Sequence, residues 1–226
     1  MHKKIKSEGK CLFCSKTFAK AKINPHLATH LEEKAITERS GSSFLVNVET
    51  DTYWGVTPYF LSLWIDGDTT MKTIDKFLRD IWLECCGHLS KFHGAGMAKK
   101  AKDVFEKGVQ INYAYDYGST TALTLTVIGE YAIKSDEKIV LLSRNEPFEI
   151  ICSICKKAPA TQICMVCMYD EDAEFCDQCA KKHTKKCEDF DEEYSLPLVN
   201  SPRMGVCGYE GGVIDTERDG IFVLRE

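Results

Sequence analysis

The spacing of the cysteines constrains this 226-residue chain more than any other feature of its sequence. All but three of its twelve cysteines lie in two stretches where cysteine and histidine recur at short, regular intervals. Cys-x2-Cys pairs followed by further cysteine or histidine are typical of proteins that hold Zn²⁺ in a tetrahedral shell. Because the chain begins without the apolar stretch of a secretory signal, we expect a cytoplasmic protein whose thiols bind metal instead of forming disulfides.

The first stretch carries Cys11, Cys14, His26 and His30, with eleven residues between the second cysteine and the first histidine. Over residues 11–30 it resembles the two-Cys, two-His zinc-finger family, in which that interval is usually twelve. Its ligands predict one zinc ion.

A proline bears on what this finger can do. Pro25 follows Asn24, a good helix N-cap, and proline is favoured at the first helical position, so the helix is expected to begin at Pro25. Residues 19–24 would then lie mostly outside the helix, which weakens base readout by the usual finger geometry.

Residues 1–34 carry eight lysines against three acids. Lys16, Lys20 and Lys22 are therefore candidates for non-specific phosphate contacts. The alternative is a solvated lysine face on a structural finger.

The second stretch lies between residues 152 and 187 and holds three Cys-x2-Cys pairs, then a histidine and a cysteine. Sequential pairing would give two successive fingers, whereas interleaved pairing braces both ions into one unit, and we favour the interleaved arrangement. The interleaved groups are Cys152, Cys155, Cys176 and Cys179 for one ion, and Cys164, Cys167, His183 and Cys187 for the other.

The spacing of this stretch resembles the B-box and MYND class of cross-brace zinc modules, most clearly at Phe175 and Cys176. With the finger, it brings the expected total to three zinc ions. All coordination places would be filled by protein, which predicts structural and not catalytic zinc. Five acids within residues 170–177 favour a basic protein partner over phosphate.

The middle of the chain predicts an α+β fold, with a principal helix against a mostly antiparallel sheet. Apolar residues at steps of three and four indicate a helix over residues 71–85, with Thr70 as its N-cap. Strands are expected at 59–65, 109–115, 122–131, 138–142 and 221–224, the third with a period of two.

These patterns suggest five segments along the chain. They are a finger at 1–34, a linker at 35–43, an α+β core at 44–149, a binuclear zinc module at 150–195, and a segment at 196–226 that returns to the core.

Three further stretches carry a resemblance. They are residues 67–71 (GDTTM) with 87–92 (GHLSKF), residues 113–118 (YAYDYG), and residues 200–209 (NSPRMGVCGY). Together they resemble the plasmid-ORF-three-like family, often labelled insertion-element passenger or TnpR-like proteins, over residues 55–226. The resemblance implies a single α+β domain with the zinc module inserted after the sheet, and it suggests mobile-element or defence biology without a mechanism.

Ser119, Thr121 and Leu123 stand where that family usually has an acidic residue, a tryptophan and a histidine. His88 and Asp116 do match, so one hypothesis is an enzyme that uses these two side chains. The alternative is a purely structural role, with His88 as a polar contact at a helix end and Asp116 as a turn cap.

The remaining cysteines, Cys85, Cys86 and Cys207, lack partners at zinc spacing, and Cys85 is expected to be a buried thiol on the helix face.

The leading hypothesis is a non-enzymatic zinc protein that acts as an interaction or adaptor module for a protein partner. No phosphate-binding glycine loop or other catalytic motif supports an enzyme. A net charge of −5 disfavours coating of nucleic acid, although the basic N-terminal unit keeps nucleic-acid binding as the alternative. No apolar run is long enough to span a membrane. The oligomeric state does not follow from the sequence.

Overall fold

The structure, a computed structural model, describes residues 6–37, 40–50, 58–135, 137–169, 173–190 and 194–219. The chain divides into two compact units. The sheet unit comprises Met1–Leu78 and Leu89–Glu146, and the cysteine-rich unit comprises Arg79–His88 and Pro147–Glu226.

Three α-helices and eleven strands are the main regular elements of the described residues. The elements are β1 (Glu8–Lys10), β2 (Thr17–Ala19), α1 (Lys20–Thr37), β3 (Ser43–Thr50), β4 (Phe60–Asp66), α2 (Met71–Leu78), β5 (Ser90–Phe92), β6 (Gln110–Tyr115), β7 (Thr121–Tyr131), β8 (Ile139–Arg144), β9 (Gln162–Cys164), β10 (Glu174–Phe175), α3 (Asp177–His183) and β11 (Ser195–Pro197).

The sheet unit is built on six antiparallel strands in the order β5-β6-β7-β3-β4-β8. The expected α+β class with a mostly antiparallel sheet is confirmed. Strands β4, β6, β7 and β8 lie within a residue or two of their predicted positions. Along β7 buried residues alternate with more exposed ones, as the period of two predicts.

The central strand β3 was not predicted. All residues from Ser43 to Val48 are buried, so both faces of the strand are covered and its sequence shows no alternation. A short apolar run of this kind is not distinguished from a buried helical segment by periodicity alone.

The predicted helix at 71–85 is only partly regular. Thr70 caps α2 as expected, since its Oγ1 accepts a hydrogen bond from the backbone N–H of Thr73 at 3.2 Å. Beyond α2 the chain continues as a five-residue π-helical segment, Arg79–Leu83, in which the Glu84 N–H donates to the Arg79 carbonyl at 2.9 Å. Because the wider turn ends the helix early, Cys85 lies beyond it and is half-buried, which corrects the expectation of a buried thiol.

Helix α1 begins at Lys20 and contains Pro25, which corrects the expected start at Pro25. Proline removes a single intrahelical hydrogen bond, the one to the carbonyl of Ala21. Contacts to the sheet hold the preceding turn, because Ile23 is fully buried and Asn24 Oδ1 accepts a hydrogen bond from Ser62 Oγ at 2.7 Å. Asn24 therefore anchors the helix to β4 instead of capping it.

The finger is part of the sheet unit. The buried residues of α1 join one hydrophobic cluster with residues of β3, β4, β7 and β8, and the N–H of Leu12 donates to the carbonyl of Leu142 at 2.9 Å. The structure therefore groups residues 6–34 with the core, in place of the predicted finger domain and linker. The helix side of this cluster consists of Ile23, Leu27 and Leu31.

The cysteine-rich unit contains a small antiparallel sheet in the order β10-β9-β11, with α3 following β10. Residues 196–219 belong to this unit, since β11 pairs with β9. This corrects the prediction that the C-terminal segment returns to the α+β core.

The acidic residues 170–172 and the predicted strand at 221–224 lie outside the described residues. Among the helices of the described residues, none combines the length and apolar character that crossing a bilayer requires.

Leu27→Ala tests whether the finger helix is part of the sheet unit's core. Leu27 is fully buried, so we expect the free energy of unfolding of the sheet unit to fall by about 2–5 kcal/mol. Chemical denaturation followed by circular dichroism measures this change. Ile36→Ala is the control on the same helix, because Ile36 is 80% exposed and its truncation should change stability by no more than about 0.5 kcal/mol. Equal effects of the two substitutions would contradict the assignment.

Candidate metal centres

The finger ligands converge at one edge of the sheet unit. Cys11 and Cys14 lie on the turn between β1 and β2, and His26 and His30 lie one turn apart on α1. One ligand atom from each residue lies within 4.8 Å of the other three. The four residues can therefore hold a metal ion, as the sequence predicts.

The distances within this group fit tetrahedral zinc. Bonds of about 2.3 Å to sulfur and about 2.0 Å to nitrogen imply edges of about 3.8 Å between two sulfurs, about 3.5 Å between sulfur and nitrogen, and about 3.3 Å between two nitrogens. Cys14 Sγ lies 3.2 Å from His26 Nε2, which lies 3.2 Å from His30 Nε2. Both distances are within a few tenths of an ångström of the tetrahedral edges.

The surroundings of His26 favour a neutral imidazole, the form that binds metal. Burial lowers its pKa, and the neighbouring His30 and Lys16 lower it further. The Phe18 ring stacks on the His26 ring at a centroid distance of 4.0 Å, in the place where a finger carries its core aromatic.

The cysteine-rich unit brings its ligands together in two interleaved groups. In each group the ligand atoms lie within 4.8 Å of one another. Cys167 Sγ lies 3.5 Å from His183 Nε2 and 3.9 Å from Cys187 Sγ, which again match tetrahedral edges. The groups are Cys152, Cys155, Cys176 and Cys179, and Cys164, Cys167, His183 and Cys187.

Two of the Cys-x2-Cys turns, here called knuckles, have the same backbone conformation. Ser15 and Lys156 each follow the second cysteine of a Cys-x2-Cys pair, and each has a positive φ, of 59° and 54°. Their N–H groups donate to the carbonyls of Cys11 and Cys152 at 2.9 and 3.0 Å. This turn directs backbone N–H groups at the first sulfur of each knuckle, which favours its thiolate. At Cys11 burial outweighs the N–H groups of Cys14 and Phe13, so the pKa of Cys11 is raised.

In the four-cysteine group, backbone N–H groups clearly lower the pKa of two thiols. Burial opposes ionisation of Cys152, but N–H groups of Cys155, Cys176 and Ile154 outweigh it and lower the pKa of Cys152 to about 6. The N–H groups of Ala158 and Lys157 lower the pKa of Cys155 as well. Cys152 is therefore prepared to bind metal as a thiolate near neutral pH, and Cys155 ionises more readily than an ordinary thiol.

Two other members of these groups, Cys179 and Cys167, are shifted the opposite way. Burial, together with the neighbouring thiols, raises the pKa of Cys179 and that of Cys167 to about 12. Ionised sulfurs this close repel one another, so the full set of thiolates forms only around a cation. The donor set, thiolate with imidazole, is the one that suits zinc.

The ligands are also part of the hydrophobic core of this unit. Cys152 and Cys164 are fully buried, and they belong to one cluster with residues such as Ile163 and Phe190. Phe175 is 1% exposed, and its ring lies 4.3 Å from the ring of His183. Because the cluster is small, metal binding and folding of this unit are expected to be coupled.

A fourth group appears in the structure that the sequence analysis missed. Cys85, Cys86, His88 and Cys207 also place one ligand atom each within 4.8 Å of the others. His88 thus lies among thiols, which differs from both roles considered for it. The three cysteines have partners after all, so four groups among the described residues can hold a metal ion.

The sequence offered only a local signal for this group. Cys85, Cys86 and His88 lie within four residues, but adjacent cysteines are not a knuckle spacing, and Cys207 follows 119 residues after His88. Only the path of the C-terminal segment brings Cys207 to the other three.

The lysines proposed for phosphate contacts and the proposed His88 and Asp116 pair are arranged less favourably for those roles. Lys16 and Lys22 are exposed, but Lys20 forms an ion pair with Glu49 at 2.8 Å, which offsets its charge. Asp116 has a φ of 62° and its Oδ1 accepts a hydrogen bond from the N–H of Gly118 at 2.9 Å, so it caps a turn. Asp116 belongs to the sheet unit and His88 to the cysteine-rich unit.

Comparison with known proteins yields a likeness of structure alone. No family model matches the chain, and no curated protein matches it. The chain is similar to the crystal structure of a protein of unknown function, MM3350, from Methanosarcina mazei Go1. The match has 14% sequence identity and a TM-score of 0.36, and it covers 48% of this chain and 69% of that one. The resemblance to TnpR-like proteins and to B-box or MYND modules stays a prediction.

Two double variants test the interleaved pairing. Cys155→Ser with Cys176→Ser changes one group only, whereas Cys155→Ser with Cys164→Ser changes both. After a brief chelator challenge, native mass spectrometry should show that the first variant has lost one zinc ion and the second has lost two. Both variants lack two cysteines, so each is the control for the other. Sequential pairing would give the reverse result.

Proposed function

We propose that this protein is a non-enzymatic zinc protein in which three structural zinc ions support a surface that docks a protein partner. The observation that carries the proposal is the completeness of the three predicted ligand groups. Each supplies four protein ligands, which fill a tetrahedral shell, whereas a catalytic zinc keeps a position for water or substrate. The metal ions would then stabilise the fold, and the function would depend on the surfaces of the folded units.

Exposed aliphatic side chains support the choice of a protein partner. Ile154 and Val166 occupy the same place in their knuckles, immediately before the second cysteine, and they are 60% and 38% exposed. Tyr194, 40% exposed, is close to the second knuckle, since its carbonyl accepts a hydrogen bond from the N–H of Met165 at 3.0 Å. Large apolar side chains held out to solvent on a rigid turn are typical of protein contacts.

The first knuckle of the cysteine-rich unit also carries charge. Lys156 and Lys157 are both exposed and follow Ile154 within three residues. Two lysines beside an exposed apolar residue favour a partner with acidic residues next to its own apolar side chain, in place of the basic partner expected from the acids of residues 170–177.

Nucleic-acid binding through the N-terminal finger is the alternative, and the test must distinguish it from docking of a protein partner. Lys20 is paired with Glu49, which offsets its charge, and the apolar face of the finger helix is buried in the sheet unit. Binding that rests on phosphate contacts weakens steeply with salt, which distinguishes it from apolar docking.

The test replaces the two exposed knuckle residues. The zinc-loaded full chain is used to capture and cross-link proteins, and the captured protein is then purified and its Kd measured. Ile154→Asp with Val166→Asp should weaken binding by about tenfold or more, because truncating or charging an apolar anchor costs roughly 2 kcal/mol. The zinc count should stay unchanged.

Val213→Asp is the matched control, since Val213 is 74% exposed in the same unit but lies outside the knuckles. It should leave the Kd unchanged. Binding that is unaffected by the knuckle variant, or that is abolished by nuclease and by moderate salt, would contradict the proposal.

A further inference from the structure

We propose that Cys85, Cys86, His88 and Cys207 form a fourth zinc site whose ion is exchangeable, unlike those of the three knuckle-based sites. This site goes beyond the proposed function, which rests on the three sites predicted from sequence spacing. All four residues belong to the cysteine-rich unit.

The distances within the group match a tetrahedral shell. Cys86 Sγ lies 3.8 Å from Cys207 Sγ and 3.9 Å from Cys85 Sγ, close to the edge of about 3.8 Å between two sulfurs bound to one zinc ion. His88 Nε2 lies 3.1 Å from Cys86 Sγ and 3.2 Å from Cys207 Sγ. The separations between sulfurs are far longer than a disulfide bond of about 2.05 Å.

The backbone around Cys207 is shaped to present its thiol. Cys207 has a φ of 52°, and Gly205 and Gly208 have φ values of 73° and 67°. Three left-handed residues within four positions make a tight loop, and a cysteine in that region is conformationally unfavourable. Such an outlier persists where function or surrounding contacts require it, and here it directs the sulfur at the other ligands.

A positively charged side chain lies beside one of the sulfurs. Arg203 is fully buried, and its Nη2 donates to Cys85 Sγ at 3.5 Å. Three thiolates, one imidazole and Zn²⁺ carry a net charge of −1, which the guanidinium offsets. A positive charge this close to Cys85 favours the thiolate form of its sulfur.

The C-terminal segment is held against the π-helical segment that precedes the ligands. Ser201 Oγ donates to the carbonyl of Trp82 at 2.7 Å, and the N–H of Val213 donates to the carbonyl of Asp80 at 2.7 Å. These bonds fix the chain on both sides of Cys207. The ion would close this loop by joining residue 207 to residues 85–88.

Exposure of the ligands distinguishes this site from the other three. Each predicted group has at least one buried cysteine, whereas Cys86 and Cys207 are exposed and neither Cys85 nor His88 is buried. A chelator or competing thiol in solution therefore has direct access to the ion. Exchange with solution follows from this access.

The test counts zinc by native mass spectrometry after loading with excess zinc and desalting. We expect four ions in the natural chain, three in His88→Gln and three in Cys207→Ser. His93→Gln is the matched control, because His93 is exposed and lies outside the four groups, and it should keep four ions. Circular dichroism checks that each variant is folded.

A timed chelator challenge then tests exchangeability. One of the four ions should leave the natural chain before the other three, and this early loss should be absent from Cys207→Ser. Three ions in the natural chain, or four in folded His88→Gln, would overturn the site and leave the proposed function intact. Four ions that all leave at one rate would overturn exchangeability. If neither variant folds, the count and the release kinetics of the natural chain decide the question.

Discussion

The repulsion between crowded thiolates is the constraint on which this structure depends. In the cysteine-rich unit, four cysteines are buried members of the hydrophobic core, and their sulfurs converge within two small groups. Ionised sulfurs at such distances repel one another unless a cation lies between them. A metal ion would replace that repulsion with attraction, so the contacts that hold the ion would also close the core. The cysteines of this unit can therefore act both as metal ligands and as buried apolar side chains.

The sheet unit uses a metal group differently. Its core is built mainly on the sheet, because β3 and β4 are buried along nearly their whole length. An ion held by Cys11, Cys14, His26 and His30 would join the short β1–β2 hairpin to α1. Helix α1 covers one face of the sheet through Ile23, Leu27 and Leu31, so this finger-like segment forms part of a larger core. This role agrees with a structural ion and leaves less of the helix free for contact with nucleic acid.

The features that could be predicted are those that local sequence determines. The alternation along β7 follows from one half-covered face, and the cap at Thr70 follows from a hydroxyl beside unpaired N–H groups. The strand β3 escaped prediction because burial on both faces removes alternation. The start of α1 was misplaced because contacts of Ile23 and Asn24 with the sheet outweigh the preference of proline for a first turn.

The metal groups also divide into those predictable from local sequence and one that depends on tertiary structure. Spacing by itself predicted the twelve candidate ligands of three groups, because a knuckle turn brings residues three apart close together and a helical turn does the same for residues four apart. It favoured but did not decide the interleaved pairing, which depends on how β9, β10 and α3 fold together. Only the tertiary structure brought Cys207 to Cys85, Cys86 and His88, since its position is set by hydrogen bonds to the π-helical segment across more than a hundred residues. Local spacing encodes ligands that share a turn, whereas ligands from distant segments meet only where the packed chain brings them together.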